Sequence, residues 1–193
     1  AAPASDNNLS ALSVTGQTLS PAFTAATLNY TVAVASNVTS VNVSATKSDP
    51  NAVMSGSVTA GAGQATGQAT VALGGAPSST PVSILVTAPN GSQKTYTVTV
   101  NRAAPANSNN NLSSLAVSAG PLNPSFVQST TGYTVTVPTT TLNTTLTAIV
   151  PHSTATLTIN GAAATSGVPM GPIALAIGAN PIQIQVTAQD GTP

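Results

Sequence analysis

The stretch NLSALSVTGQTLSPAF at 8–23 returns as NLSSLAVSAGPLNPSF at 111–126. Leu9 aligns with Leu112, Leu12 with Leu115, Val14 with Val117, Leu19 with Leu122, Pro21 with Pro124 and Phe23 with Phe126, each pair 103 positions apart. Farther on, Tyr30 of YTVAV aligns with Tyr133 of YTVTV, and ILVTAPNG at 84–91 aligns with IQVTAQDG at 184–191 after a net loss of three residues. Similarity kept in order across separated segments means two tandem copies of one unit. A chain of 193 residues is long enough for two small domains.

Each copy reads as all-β. The apolar residues are mostly Ala and Val, they alternate with Thr, and no long helix-forming stretch interrupts them. KTYTVTVNR at 94–102 is the clearest case: Tyr96, Val98 and Val100 fall on one face, and Thr95, Thr97 and Thr99 on the other. Strands are predicted in the first copy at 9–15, 29–35, 38–46, 52–58, 66–73, 81–88 and 94–101. In the second they are predicted at 112–118, 132–137, 142–150, 154–159, 172–177 and 181–188. About seven short strands per hundred residues, divided by turn signals such as Asn90-Gly91 and Asn160-Gly161, fit an immunoglobulin-like β-sandwich.

The expected organisation is a linker-like segment at 1–8, a sandwich at 9–102, a linker at 103–110 and a second sandwich at 111–193 that lacks its final strand. AAPASDNNLS at 1–10 resembles AAPANSNNNLS at 103–113, which is Pro- and Asn-rich and without periodicity, as a linker is. Both ends are those expected of an excerpt from a longer array. The competing expectation is strand exchange, because the strand at 181–188 would expose unpaired backbone and an apolar strip. Ile182, Ile184, Val186 and Ala188 are therefore the candidate strand-complementation edge.

Composition excludes several functions. Only 3% of residues are charged, the net charge is +0, and Asp6, Asp49 and Asp190 stand against Lys47, Lys94 and Arg102. Nucleic acids and anionic membranes are held by clustered Lys and Arg, so neither is an expected partner. No apolar run approaches the roughly 20 residues needed to span a bilayer, so membrane insertion is not expected. There is no cysteine, hence neither a disulfide nor a thiolate metal site. The small residues of AAPAS at the start suit the end left by signal-peptide cleavage. With so few ionisable groups, stability is expected to change little with pH.

The spacing L-S-x-L-x-V-S-x-G-x-L-x-P-x-F, then Y-T-V-x-V, then N-x-I-x-I-x-V-T-A-x-D-G-T resembles the bacterial cadherin-like β-sandwich domain family. The second copy carries it through Leu112, Ser113, Leu115, Val117, Ser118, Gly120, Leu122, Pro124, Phe126, Tyr133, Asn180, Ile182, Ile184, Val186, Asp190 and Gly191. The first copy departs from it with APNGS at 88–92. The resemblance implies repeat domains of secreted or surface-exposed proteins that act as spacers, adhesive modules or structural units, and it implies no catalytic residues.

The residues themselves offer little chemistry. His152, the one histidine, sits in VPHST with no Asp near it in sequence and reads as a solvated turn residue. Three Asp in separate loops give few of the carboxylate pairs that acid–base catalysis uses. True cadherins bind calcium between domains through clustered acids, whereas 103–110 has none and Asp6 with Asn7 and Asn8 is a thin substitute. No metal or other cofactor is expected. TAGAGQATGQA at 59–69 lacks both Lys and phosphate-cradle spacing and reads as a flexible loop. A glycan partner finds no Trp platform, and Phe23, Phe126, Tyr30, Tyr96 and Tyr133 read as core. Asn8, Asn29, Asn37, Asn42, Asn90, Asn111 and Asn143 head N-x-S/T triplets, which a chain this rich in Asn, Ser and Thr produces by chance.

The expected function is that of a non-catalytic extracellular or cell-surface structural protein, with the sandwiches forming a stalk or filament by self-association or beside neighbouring repeats. The alternative is an adhesive or carbohydrate-binding module.

Overall fold

The computed structural model describes residues 4–193, and the chain divides into two compact units, Ala1–Pro105 and Ala106–Pro193. Unit 1 holds seven strands: β1 (Leu9–Val14), β2 (Asn29–Val34), β3 (Ser40–Lys47), β4 (Val53–Gly56), β5 (Thr66–Ala72), β6 (Ser78–Thr87) and β7 (Gln93–Arg102). They form a three-stranded sheet in the order β1-β3-β5 and a four-stranded sheet in the order β2-β7-β6-β4. All neighbours are antiparallel except β2 and β7, which run parallel. The alternation in sequence explains the packing. Val82, Ile84 and Val86 of β6 and Tyr96, Val98 and Val100 of β7 are fully buried, while their Thr and Ser neighbours face outward. Each buried aliphatic side chain contributes on the order of 1.5–3 kcal/mol relative to exposure. Together with residues of the opposite sheet they make one core.

The turn between β6 and β7 is closed by the chain itself. The Ala88 N–H donates to the Ser92 carbonyl (2.9 Å), Gly91 N–H to the Ala88 carbonyl (2.9 Å), and Ser92 N–H to Asn90 Oδ1 (2.9 Å). Gly91 sits at φ 86°, a conformation that costs a residue with a Cβ.

Unit 2 is built from β8 (Ser114–Val117), β9 (Asn143–Ile149), β10 (Thr156–Ile159), β11 (Ala162–Ala164), β12 (Met170–Ala174) and β13 (Ile184–Thr187). Its sheets are ordered β12-β9-β8 and β11-β10-β13, around a smaller core that includes Leu115, Leu146, Ala148, Leu157, Ile159 and Val186. The described residues are all-β, as two sandwiches.

Unit 2 departs from the sequence reading in five places. Residues 132–137 do not form a strand: their backbone makes one bridge, Thr134 with Asn123, through hydrogen bonds of 2.8 Å in each direction. The reason is visible in unit 1, where β2 is an edge strand whose only ladder partner among the described residues is β7. Among the described residues unit 2 has no counterpart of β7. The strands predicted at 112–118 and 181–188 shrink to Ser114–Val117 and Ile184–Thr187, and that predicted at 172–177 shifts to Met170–Ala174. β11 is an addition, since three alanines carry almost no β signal. It exists because Asn160 (φ 50°) and Gly161 (φ 78°) form a two-residue turn that folds Ala162–Ala164 back onto β10.

Candidate functional site: an open strand-wide groove in the second unit

Parts of the first sandwich recur intact in the second. Tyr30 donates its hydroxyl proton to the Thr24 carbonyl (2.7 Å) and packs its ring 6.0 Å from Phe23. Tyr133 donates to the Val127 carbonyl (2.6 Å) and lies 6.0 Å from Phe126. The turn after β13 is the same as the turn after β6. Ala188 N–H donates to the Thr192 carbonyl (2.8 Å), Gly191 N–H to the Ala188 carbonyl (3.0 Å), and Thr192 N–H to Asp190 Oδ1 (2.9 Å). Hydrogen bonds from the Thr192 N–H and side chain to its ionised form hold the exposed Asp190 carboxyl below its ordinary value.

What differs is the space between the Tyr133–Val137 segment and β13. A groove with a cavity volume of about 1040 Å³ opens there, floored by Leu112, Leu115, Val117, Phe126 and Leu146 and walled by Val135 and Ile184. Burial shifts accordingly. Tyr30 and Val32 are 1% exposed, whereas Tyr133 and Val135 are only partly buried. Val82 and Ile84 are fully buried, whereas Ile182 and Ile184 are partly buried. In unit 1 the same space is filled by β7, and Tyr96 closes it. Its hydroxyl accepts from the Leu9 N–H (3.2 Å) and donates to the Ala25 carbonyl (2.7 Å), and burial pushes its pKa up.

Three of the four candidate edge residues, Ile182, Ile184 and Val186, fall along this groove. Ile184 and Val186 lie in β13, opposite Ile159 and Leu157 of β10, and β13 is the outer strand of its sheet. Ile182 lies just before the strand and lines the groove, while Ala188 is buried in the turn. Ile182 and Ile184 thus border the opening directly. Of the facing wall, Tyr133 carried only a core reading in the sequence and Val135 only a place in the strand predicted at 132–137. Their signal was Tyr30 and Val32, whose partner strand β7 has no equivalent here.

The remaining polar residues do not converge. His152 is half-buried rather than solvated, its Nε2 3.1 Å from Asn107 Nδ2. Asp6 Oδ1 accepts from the N–H and the side-chain amide of Asn8, at 2.8 Å each. Among the described residues no three of His, Cys, Asp and Glu gather as a metal site would need. The loop at 59–69, expected to be flexible, is tied down. Ala60 exchanges backbone hydrogen bonds with Met54, and the ammonium of Lys47, 3% exposed, donates to the carbonyls of Pro50 (3.1 Å), Gly61 (2.8 Å) and Ala52. Desolvation lowers the Lys47 pKa, and the nearby Asp49 carboxylate partly restores it. No sequence signal marked Lys47, because a lone Lys in a turn-rich stretch is ordinarily solvated.

No helix among the described residues is long and apolar enough to cross a membrane. No curated protein and no solved structure matches the chain. A family model does: the cadherin-like beta sandwich domain matches residues 9–103 and again 112–193. Such domains are generally non-catalytic modules of surface or adhesion type, typically extracellular or surface-exposed. Matched in both copies and over most of its length, the chain belongs to the cadherin-like beta sandwich domain family, as two members in tandem.

Proposed function

We propose that this chain is a non-catalytic structural protein of the cell exterior, whose sandwiches form part of a surface stalk or filament. The second unit is completed by a strand from another segment or subunit. The observation that carries the reading is the contrast between the two copies: one apolar slot filled by β7, and the same slot open beside the outer strand β13. Exposed edges of this kind pair with further strands, as in strand-addition complexes. A surface wetted by Thr, Ser and Asn hydroxyls and amides, with 3% charged residues, suits a spacer better than a binding face for charged ligands.

Negative-stain images of the native material, read beside its intact mass, test the proposal. Strings of sandwich-sized beads are expected. A single dispersed species, together with a specific hit on a glycan array, would sink it in favour of an adhesive or carbohydrate-binding module.

A further inference from the structure

Where β1 of unit 1 begins, three side chains stand in series. The Lys94 ammonium of β7 donates to Asn8 Oδ1, and Asn8 Nδ2 donates to Asp6 Oδ1 (2.8 Å). An amine against a carboxamide carbonyl, with a carboxyl group on the amide nitrogen, supplies a nucleophile, an electrophile and a proton carrier for the leaving group. We propose that Lys94 and Asn8 join in an intramolecular isopeptide bond, formed by the chain itself with Asp6 as the proton carrier.

The surroundings hold the reactants together. The backbone of Asn8 is fixed on both sides, its N–H by Asp6 Oδ1 (2.8 Å) and its carbonyl by the Ser48 N–H (3.0 Å). One residue on, the Leu9 N–H donates to the Tyr96 hydroxyl (3.2 Å), and both Leu9 and Tyr96 are fully buried. The preceding residues are laced to the turn before Lys94: the Asn90 N–H donates to the Ala4 carbonyl (3.1 Å) and Ser92 Oγ to the Ser5 carbonyl (3.2 Å). Reactants held in this way reach effective molarities on the order of 10⁵ M or more when well aligned.

The step balances without a co-reactant. The Lys94 ammonium gives one proton to the Asp6 carboxylate. The Nζ lone pair then adds to Cγ of Asn8, and the carbonyl pair moves onto Oδ1. Asp6 passes its proton to Nδ2, the carbonyl re-forms, and the Cγ–Nδ2 bond breaks. The departing ammonia takes the surplus proton from Nζ and leaves as ammonium. The product is a secondary amide between two side chains, in a chain lighter by one ammonia. Tension along the chain would then pass from the entry of β1 straight to β7 and out beyond Arg102, bypassing the hydrogen bonds of β1 to β6.

Trypsin mapping of the denatured full chain, beside its intact mass, tests this. Cleavage follows Lys47, Lys94 and Arg102, so an unbonded chain yields 1–47, 48–94, 95–102 and 103–193. The expected result is a mass one ammonia below that of the sequence, no cleavage after Lys94, and 1–47 joined to 48–102 through Asn8 and Lys94. Asn8→Ala and Lys94→Arg should restore the mass calculated from their sequences and lower the melting midpoint of unit 1 by at least about 10 °C, as loss of a cross-link closing a long loop does. Asp6→Asn separates chemistry from folding. Unit 2 has Asn109 at that position, and its Oδ1 accepts from the Asn111 N–H (2.9 Å), so the local turn should survive while the proton carrier is lost and the ammonia is retained. A full mass with 1–47 released free would overturn the proposal and leave a hydrogen bond between Lys94 and Asn8. Loss of ammonia mapped to other residues, or an undiminished bond in Asp6→Asn, would overturn it as well.

Discussion

The two sandwiches share their tyrosine corner, their hairpin turn and their three-stranded sheet, yet only the first is closed. A single strand makes the difference, and the comparison shows how much one strand supports beyond its own residues. With β7 in place, β2 is a regular strand and Tyr30 is buried. Without a counterpart, Tyr133–Val137 keeps one bridge and loses the ladder, although YTVTV has the same alternation as YTVAV. Local propensity is satisfied in both copies, and the strand forms only where a neighbour accepts its hydrogen bonds.

The strongest way to break the comparison is to make unit 1 resemble unit 2. Val98→Asp places a carboxylate at the centre of the closed core and should cost at least about 4 kcal/mol, enough to unfold unit 1. Ile182→Asp, on the open side of the groove, should cost about 1 kcal/mol or less. Urea denaturation of both variants measures the gap, and equal losses would mean that the groove is closed in solution.

A second asymmetry is Lys47, whose counterpart by the repeat is Val150, 8% exposed. Lys47→Val should destabilise unit 1 by about 1–3 kcal/mol, since the carbonyls of Pro50, Ala52 and Gly61 lose their donor. Thermal or urea unfolding checks this, and a neutral result would mean that water replaces the ammonium.

A smaller effect is expected at the tyrosines. Tyr96→Phe should cost on the order of 1 kcal/mol, because a buried N–H and a carbonyl lose their partner together. Tyr133→Phe should cost less, because its hydrogen bonds with Val127 lie at the surface. Their order in urea midpoints sharpens the contrast, and a reversed order would refute it.

The smallest effect concerns pH. Asn90 and Asp190 hold equivalent turns, but only Asp190 titrates. Its folded pKa lies below 3.8, so its contribution is complete above that value and is lost as pH falls through the lowered one. Unit 2 should lose slightly more than unit 1 in acid, and Asp190→Asn should abolish the difference. Lys47 acts at the other extreme. Between its lowered folded value and 10.5 the unfolded chain binds more protons, so unit 1 gains stability as pH rises. Melting midpoints at pH 3 and pH 7 should differ by less than roughly 15 °C.

Most of the architecture was legible in the sequence because the signals were local. Alternation in KTYTVTVNR, the Asn-Gly and Asp-Gly turns and the repeat of Leu, Val, Tyr and Phe positions each report on their own neighbourhood. What escaped was set at a distance. The loss of a strand at 132–137 depends on a partner 68 residues away in the unit-1 template, where Asn29 pairs with Thr97. β11 depends on a turn that gives three alanines a place in a sheet. The anchoring of the 59–69 loop depends on Lys47 reaching across to Gly61, and the contact of His152 depends on Asn107. The sequence led to an expected edge at Ile182, Ile184, Val186 and Ala188, of which the first three line the groove, and it carried no expectation for the opposite wall, since a strand's second neighbour leaves no mark in the strand's own sequence.

The parallel pairing of β2 with β7 also bears on how such a unit is made. Of the first strands to leave the ribosome, β1 can pair early with β3, but among the described residues β2 has no ladder partner until Gln93–Arg102 has emerged. Long-range closure of this kind is slow compared with hairpin formation. During synthesis unit 1 therefore spends an interval with an apolar slot open to solvent. A run of such copies translated in series would expose these slots to one another unless each closed before the next was complete.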